Sequence, residues 1–148
     1  MERAPASSEA IRRKMQAQGR TDTAIEIAVR RALHRRGLRF RLHVRLLPET
    51  RRTVDIVFPV DRVAVDVRGC FWHSCPVHGS LPKANARWWF DKLRANEARD
   101  LDTERRLAEA GWTTVVVWEH DDPEDAATRI ASIVAEHRAN RSSSNEPR

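Results

Sequence analysis

The chain has 148 residues, enough for one compact domain with its own core. Its formal charge is +6 and its isoelectric point about 10.5, with the excess carried mainly by Arg, which pairs bidentately with phosphate and points to nucleic acid or an anionic surface. No apolar run approaches the roughly 20 residues of a bilayer span, the N-terminus carries no apolar export segment, and two cysteines five positions apart suit a metal better than a disulfide framework.

A cytoplasmic location is therefore expected, with a single domain over 1–148, ordered over about 7–138 and followed by a flexible polar tail over 139–148. Ser8 caps a short helix over 8–18, with Ile11 and Met15 on one face and Gly19 after it. Thr23-Ala24-Ile25-Glu26 reads as a capping box. The helix it opens carries Ile25, Ala28, Val29, Ala32 and Leu33 on one stripe, and Gly37 follows as its stop.

Three strands come next, over 38–42, 54–58 and 63–67. A cysteine-containing loop reaches about residue 84. A long helix spans 85–110 and halts at Gly111. The β-branched run 112–118 is a buried strand, with Trp112 and Trp118 in the core. A last helix runs from Pro123 to about Arg138. The order α-α-β-β-β-α-β-α predicts an α/β fold with a mixed central sheet flanked by helices. Strands two and three are antiparallel, and the crossover helix lets three and four run parallel.

Asp55 lies in an otherwise apolar strand, where a lone carboxylate is costly unless paired or bound to a cation. Strict alternation puts Asp55 with Val57 on one face and Val54 with Ile56 and Phe58 on the other. Asp66 and Arg68 share a face of the partner strand. Two acids on adjacent strands with a cation beyond them suit a divalent-ion site for phosphodiester cleavage, and Glu26 offers a third carboxylate. The plain alternatives are a solvated edge strand or an ion pair of Asp55 with Arg51 or Arg52, a direct Asp66–Arg68 pair, and a purely capping Glu26.

Gly69-Cys70-Phe71-Trp72-His73-Ser74-Cys75-Pro76-Val77-His78 gathers thiols and imidazoles at zinc-ligand spacing. The plain alternative is a pair of free thiols beside incidental histidines; as a metal set, Cys70, Cys75 and His78 need a distant fourth ligand, for which His120, just past the last strand, is the best candidate. That leaves His73 as a general base, unless His73 replaces His78 in the zinc set. Phe71 and Trp72, set between ligands on a loop, make a wedge for stacked bases. Of Trp88, Trp89 and Phe90, at least one faces the core.

Gly69-Cys70-Phe71-Trp72-His73 with its nearby Cys/His residues resembles the very short patch repair (Vsr) endonucleases, bacterial nickases of the PD-(D/E)xK nuclease superfamily. Further along, Trp89-x2-Lys92-x3-Asn96-x2-Arg99-Asp100, Gly111-Trp112 and Trp118-Glu119 extend the likeness, as does Arg20-Thr21-Asp22-Thr23-x2-Glu26. It covers about residues 11–137. The resemblance implies a restriction-endonuclease-like core with a structural zinc loop. It implies cleavage 5′ of the T in a T:G mismatch left by 5-methylcytosine deamination, in double-stranded DNA.

By the same resemblance Asp55 binds Mg2+ together with the Val67 carbonyl, and His73 and Glu26 are catalytic. Phe71, Trp72 and Trp89 enter the stack from the major groove, Met15 reaches the minor groove, and Lys92, Asn96 and Arg99 belong to the DNA-binding helix motif. Zn2+ is matched to Cys70, Cys75, His78 and His120.

Val67-Arg68 replaces the family's Thr-His, so Arg68 serves as a phosphate contact, while Asp66 stands where the wider superfamily often has a second acid. A monomer, a functional link to a cytosine-5 DNA methyltransferase and mismatch-repair proteins, and no membrane complete the expectation. Two rivals stand beside it: a Mg-dependent restriction or defence nuclease without mismatch preference, and a non-catalytic zinc module that binds DNA.

Overall fold

The computed structural model describes residues 23–70, 75 and 83–144. The described elements are α1 (Ala24–Arg35), β1 (Arg41–Val44), β2 (Val54–Phe58), β3 (Val63–Arg68), α2 (Ala86–Glu109), β4 (Thr113–Trp118) and α3 (Pro123–Ser144). The expected helix over 8–18 lies outside the described residues.

Both glycine stops are used. Gly37 takes φ +76° and Gly111 φ +88°, the left-handed conformation that costs glycine least. Behind each, the chain closes the helix in the same way. The Leu38 N–H donates to the Leu33 carbonyl at 3.1 Å and the Trp112 N–H to the Leu107 carbonyl at 2.9 Å, the 6→1 bond of a Schellman cap. At the front of α1, Thr23 Oγ1 accepts from the Glu26 N–H at 3.4 Å, which is half of the anticipated capping box.

The sheet has the order β1-β2-β3-β4. Strands β1 and β2 pair antiparallel, as do β2 and β3, and β3 pairs parallel with β4. This is the expected mixed sheet. Ile56, Phe58, Val63, Val65, Val115 and Val117 pack against Val29, Ala32 and Leu33 of α1 and Ala126, Ala127, Ile130 and Val134 of α3. A smaller cluster joins Leu47, Val54, Val57 and Ala64 to Leu107 of α2. Each fully buried Val, Leu, Ile or Phe contributes about 1.5–3 kcal/mol, so the α1/α3 side carries most of the burial.

Three features stand out against expectation. Strand β1 starts at Arg41, not residue 38, because Leu38 is consumed by the cap of α1 and Phe40 packs edge-on to Phe58 at 5.9 Å. Helix α3 continues past residue 138 to Ser144. Its final turns are tied to the β2–β3 turn, where Arg138 and Arg141 reach the buried Asp61 carboxylate at 3.2 and 2.9 Å. The third departure concerns alternation along β2. Val54 clusters with Val57, not with Ile56 and Phe58, so the alternation breaks at Asp55.

Candidate functional site

The break at Asp55 is where the chemistry gathers. The β2–β3 register runs Phe58↔Val63, Val57↔Ala64, Ile56↔Val65, and one more step sets Asp55 opposite Asp66. The ladder does not continue there. Instead the Val67 N–H donates to Asp55 Oδ2 at 2.8 Å, so a side-chain oxygen stands where a strand partner would be. In a strand, a residue's N–H and C=O point to the same neighbour, so the Val67 carbonyl opens on this gap too. Neither plain alternative for Asp55 holds. β2 is an inner strand, Arg52 is bound to Asp102 at 2.6 Å, Arg51 is exposed, and among the described residues the basic side chain beside Asp55 is His43.

Burial pushes the Asp55 carboxyl up to about 7 against the pull of the Val67 N–H; the Asp66 and Glu26 charges add to the rise and His43 opposes it. A cation beside Asp55 would offset that same burial cost and hold the carboxylate ionised.

Glu26 comes to this gap from α1. It is 2% exposed, and its Oε2 accepts from Arg30 Nη2 at 2.9 Å. His43 comes from β1. The pairs Leu42↔Ile56 and Val44↔Val54 place it opposite Asp55, with its Nδ1 3.8 Å from Asp55 Oδ1 and its Nε2 3.8 Å from Glu26 Oε1. One donor atom from each of Glu26, His43 and Asp55 lies within 4.8 Å of the others. The sequence alone, with its first strand over 38–42, does not point to His43, which lies within β1. The signal lies in the register, since counting back symmetrically from the β1–β2 loop pairs 43 with 55.

Arg68 departs from its expected role. It is 9% exposed and locked between β3 and α2, with Nε on Asp66 Oδ2 at 2.8 Å, Nη2 on Glu104 Oε1 at 2.6 Å, and Asp100 at 4.0 Å. Its guanidinium also lies 5.9 Å from the Trp118 ring. Three carboxylates surround it and offset its charge, and the direct Asp66–Arg68 pair is the alternative realised. Asp66 remains close enough to Asp55 for its charge to be felt there.

The second cluster sits at the sheet's end. Strands β3 and β4 run parallel in the register Arg68↔Trp118, and the Glu119 N–H donates to the Arg68 carbonyl at 2.9 Å. Two residues further on, Cys70 and His120 lie level. His120 Nδ1 is 3.2 Å from Cys70 Sγ and 3.6 Å from Cys75 Sγ. The Cys75 N–H donates to the Cys70 carbonyl at 3.0 Å, closing the loop that presents both thiols. The two sulfurs are buried and His120 is at the surface. Burial, together with the neighbouring Cys75 thiol, raises the Cys70 thiol to about 11. Two sulfurs and an imidazole nitrogen within 4.8 Å fit a thiophilic cation with tetrahedral preference.

On α2, Trp89 is fully buried and meets Trp88 edge-on at 5.0 Å. It is therefore a core residue and not part of an exposed wedge. Asn96 is buried as well, accepting from Arg99 at 3.3 Å, which removes it from a DNA-facing surface. Lys92 is half-buried and Arg99 exposed, so both keep access to solvent. Trp112 and Trp118, expected in the core, are only half-buried; the Arg62 guanidinium covers Trp112 at 5.3 Å and His120 stacks on Trp118 at 6.4 Å. Met15, Phe71, Trp72, His73 and His78 lie outside the described residues.

Comparison with known proteins gives a consistent likeness. Residues 7–78 match the family described as DNA mismatch endonuclease Vsr. The chain is 41% identical over 124 residues to the type II nicking enzyme V.NaeI of Lentzea aerocolonigenes, covering 82% of this chain and 75% of that protein. To the type II nicking enzyme V.XorIIP of Xanthomonas oryzae pv. oryzae it is 48% identical over 100 residues, covering 66% and 71%. To the DNA mismatch endonuclease Vsr of Escherichia coli it is 34% identical over 109 residues, covering 72% and 67%.

Proposed function

From the fact that this chain belongs to the Vsr family of DNA mismatch endonucleases, we propose that it nicks one strand of duplex DNA 5′ of the T in a T:G mismatch. The cut depends on Mg2+ held at Asp55, and a Zn2+ ion braces the cysteine loop. That it is a DNA endonuclease follows from the family; the mismatch, the strand and the two metals are the proposal.

The observation that carries it is the carboxylate seated in the gap between β2 and β3. Asp55 is anchored by the Val67 N–H at 2.8 Å, with Glu26 and His43 converging on the same point. Oxygen donors of this kind fit a hard divalent cation. Bound there, Mg2+ would supply Lewis-acid polarisation of the scissile phosphoryl group. The chain's residues do the rest. Asp55 and the Val67 carbonyl would hold that ion at a fixed place on the sheet. Glu26, neutralised by Arg30, adds no surplus negative charge beside an incoming phosphate. His73, carried over from the family likeness, takes the proton of the attacking water. Phe71 and Trp72, carried over likewise, open the stack at a mispaired step, which costs less to unstack than a matched one.

Cys70, Cys75 and His120, with His78 as the fourth ligand, would hold Zn2+ and pin that loop to the end of β4. The same reading makes the enzyme a monomer, since a mismatch is asymmetric. It would work alongside a cytosine-5 DNA methyltransferase and mismatch-repair proteins. It assigns the mixed sheet to the PD-(D/E)xK superfamily.

A rival reading keeps the chemistry and drops the mismatch preference; it draws on relatives whose names say only that they are nicking enzymes. Strand-resolved nicking of end-labelled duplexes carrying every mismatch, with Mg2+ and with chelator, decides between them. T:G duplexes cut at least tenfold faster than matched ones support the proposal. Equal rates favour the rival, and cleavage that survives chelation removes the metal from the account.

A further inference from the structure

We infer that His43 is a positioning residue for Asp55, held in place and in tautomer by Arg30. The inference rests on Asp55 being the cation-binding carboxylate.

Three observations converge on it. The first is register, because β1 sets His43 directly across from Asp55. The second is backbone. His43 takes φ +51° in the middle of a strand, a left-handed conformation uncommon outside glycine, though His and Asn adopt it more often than most. The turn of the chain there brings the ring between Glu26 and Asp55, with one ring nitrogen 3.8 Å from each.

The third is Arg30, whose Nη2 lies 3.1 Å from His43 Nε2 and 2.9 Å from Glu26 Oε2. A guanidinium only donates. His43 Nε2 therefore accepts, and the ring proton sits on Nδ1, facing Asp55. At 3.8 Å this N–H is an electrostatic neighbour of the carboxylate, and a shift of about 1 Å completes the hydrogen bond.

The arrangement orders the charges. Arg30 balances Glu26, and the imidazole turns an N–H toward Asp55. Asp55 is left as the anion a divalent cation meets, oriented by Val67 on one side and His43 on the other. Partners of this second kind orient ligand carboxylates and tune their affinity without touching the ion. The observed contacts also argue against His43 as a ligand, because Arg30 already occupies the Nε2 lone pair and Nδ1 carries the proton.

The test uses the full chain and Mn2+ as a paramagnetic probe of the hard-cation site, read by electron paramagnetic resonance. His43→Gly keeps the left-handed backbone and removes the ring, and its Mn2+ dissociation constant should rise about tenfold. His43→Asn tolerates the same backbone and returns an N–H near the Nδ1 position, so it should bind within about twofold of the parent. Parent-like binding by His43→Gly, or binding by His43→Asn as weak as that of His43→Gly, overturns the inference. Asp55→Ala is measured alongside. If it binds Mn2+ as tightly as the parent, the cation-site reading itself falls and takes this inference with it; if it loses binding while His43→Gly does not, only the role of His43 is lost.

Discussion

The two donor clusters of this protein are built from opposite materials. At the β2–β3 gap, Glu26 and Asp55 offer two carboxylates from two elements, with His43 beside them as a positioning group and an arginine already among them. At the end of β3 and β4, Cys70, Cys75 and His120 offer two buried sulfurs and an imidazole. Hard oxygen donors beside a charged, half-open gap suit a cation that meets substrate. Soft donors joining positions 70, 75 and 120 suit one that holds the chain together. In the first cluster burial raises a carboxyl, and in the second it raises a thiol. Each is a cost that a bound cation removes, but only the first lies where two strands part.

The sharpest way to break this contrast is to delete one donor from each side. Asp55→Ala should lower nicking by about a thousandfold while leaving the melting temperature no lower than that of the parent. Steady-state cleavage and calorimetry on one preparation check both halves. Cys70→Ser should do the reverse, costing about 4 kcal/mol of stability and about 10 °C in Tm. Chelator should lower the Tm of the parent and leave that of the variant where it is. An unchanged Tm in Cys70→Ser would mean that the thiol cluster is not a staple.

An effect confined to part of the pH range follows from the raised Asp55 carboxyl. Its folded value of about 7 lies above the ordinary 3.8, so between these values the folded chain binds more protons than the unfolded one. Stability of the cation-free protein then falls as pH rises through that window. Asp55→Asn removes the penalty. It should be more stable than the parent by up to about 4 kcal/mol at pH 8 and little different near pH 4, and saturating Mg2+ should erase the gain. Denaturant titrations at the two pH values check the sign.

The smallest effect tests the boundary between the clusters. Arg68→Met keeps the buried stem and loses ion pairs with Asp66 and Glu104, whose side chains are 32% and 33% exposed. It should cost about 1 kcal/mol and leave nicking within about twofold of the parent at saturating Mg2+. A tenfold loss of cleavage would return Arg68 to the phosphate.

Much of this was legible in the sequence because its causes are local. Gly37 and Gly111 stop helices since the left-handed residue a Schellman cap needs is cheapest as glycine, and no tertiary contact is required to see it. Asp55 stood out because a carboxylate in an apolar strand demands a partner whatever the fold. The sequence also nominated His120 for the cysteines. It offered the Asp66–Arg68 pair and a core place for one of Trp88, Trp89 and Phe90 only as alternatives, and it missed the burial of Asn96; all three depend on how α2 lies on the sheet. That packing delivers Asp100 and Glu104 to Arg68 and turns Trp89 and Asn96 inward.

The residue types and their order along the chain settled the elements, the mixed sheet and the presence of two metal-suited donor sets, since helix stops, β-branched runs and ligand chemistry are properties of neighbouring residues. Which donors meet was decided only by the assembled sheet. Antiparallel register set His43 across from Asp55, and parallel register brought Cys70 level with His120. Strand register is a long-range quantity, determined by which faces are buried together, and no short stretch of sequence carries it.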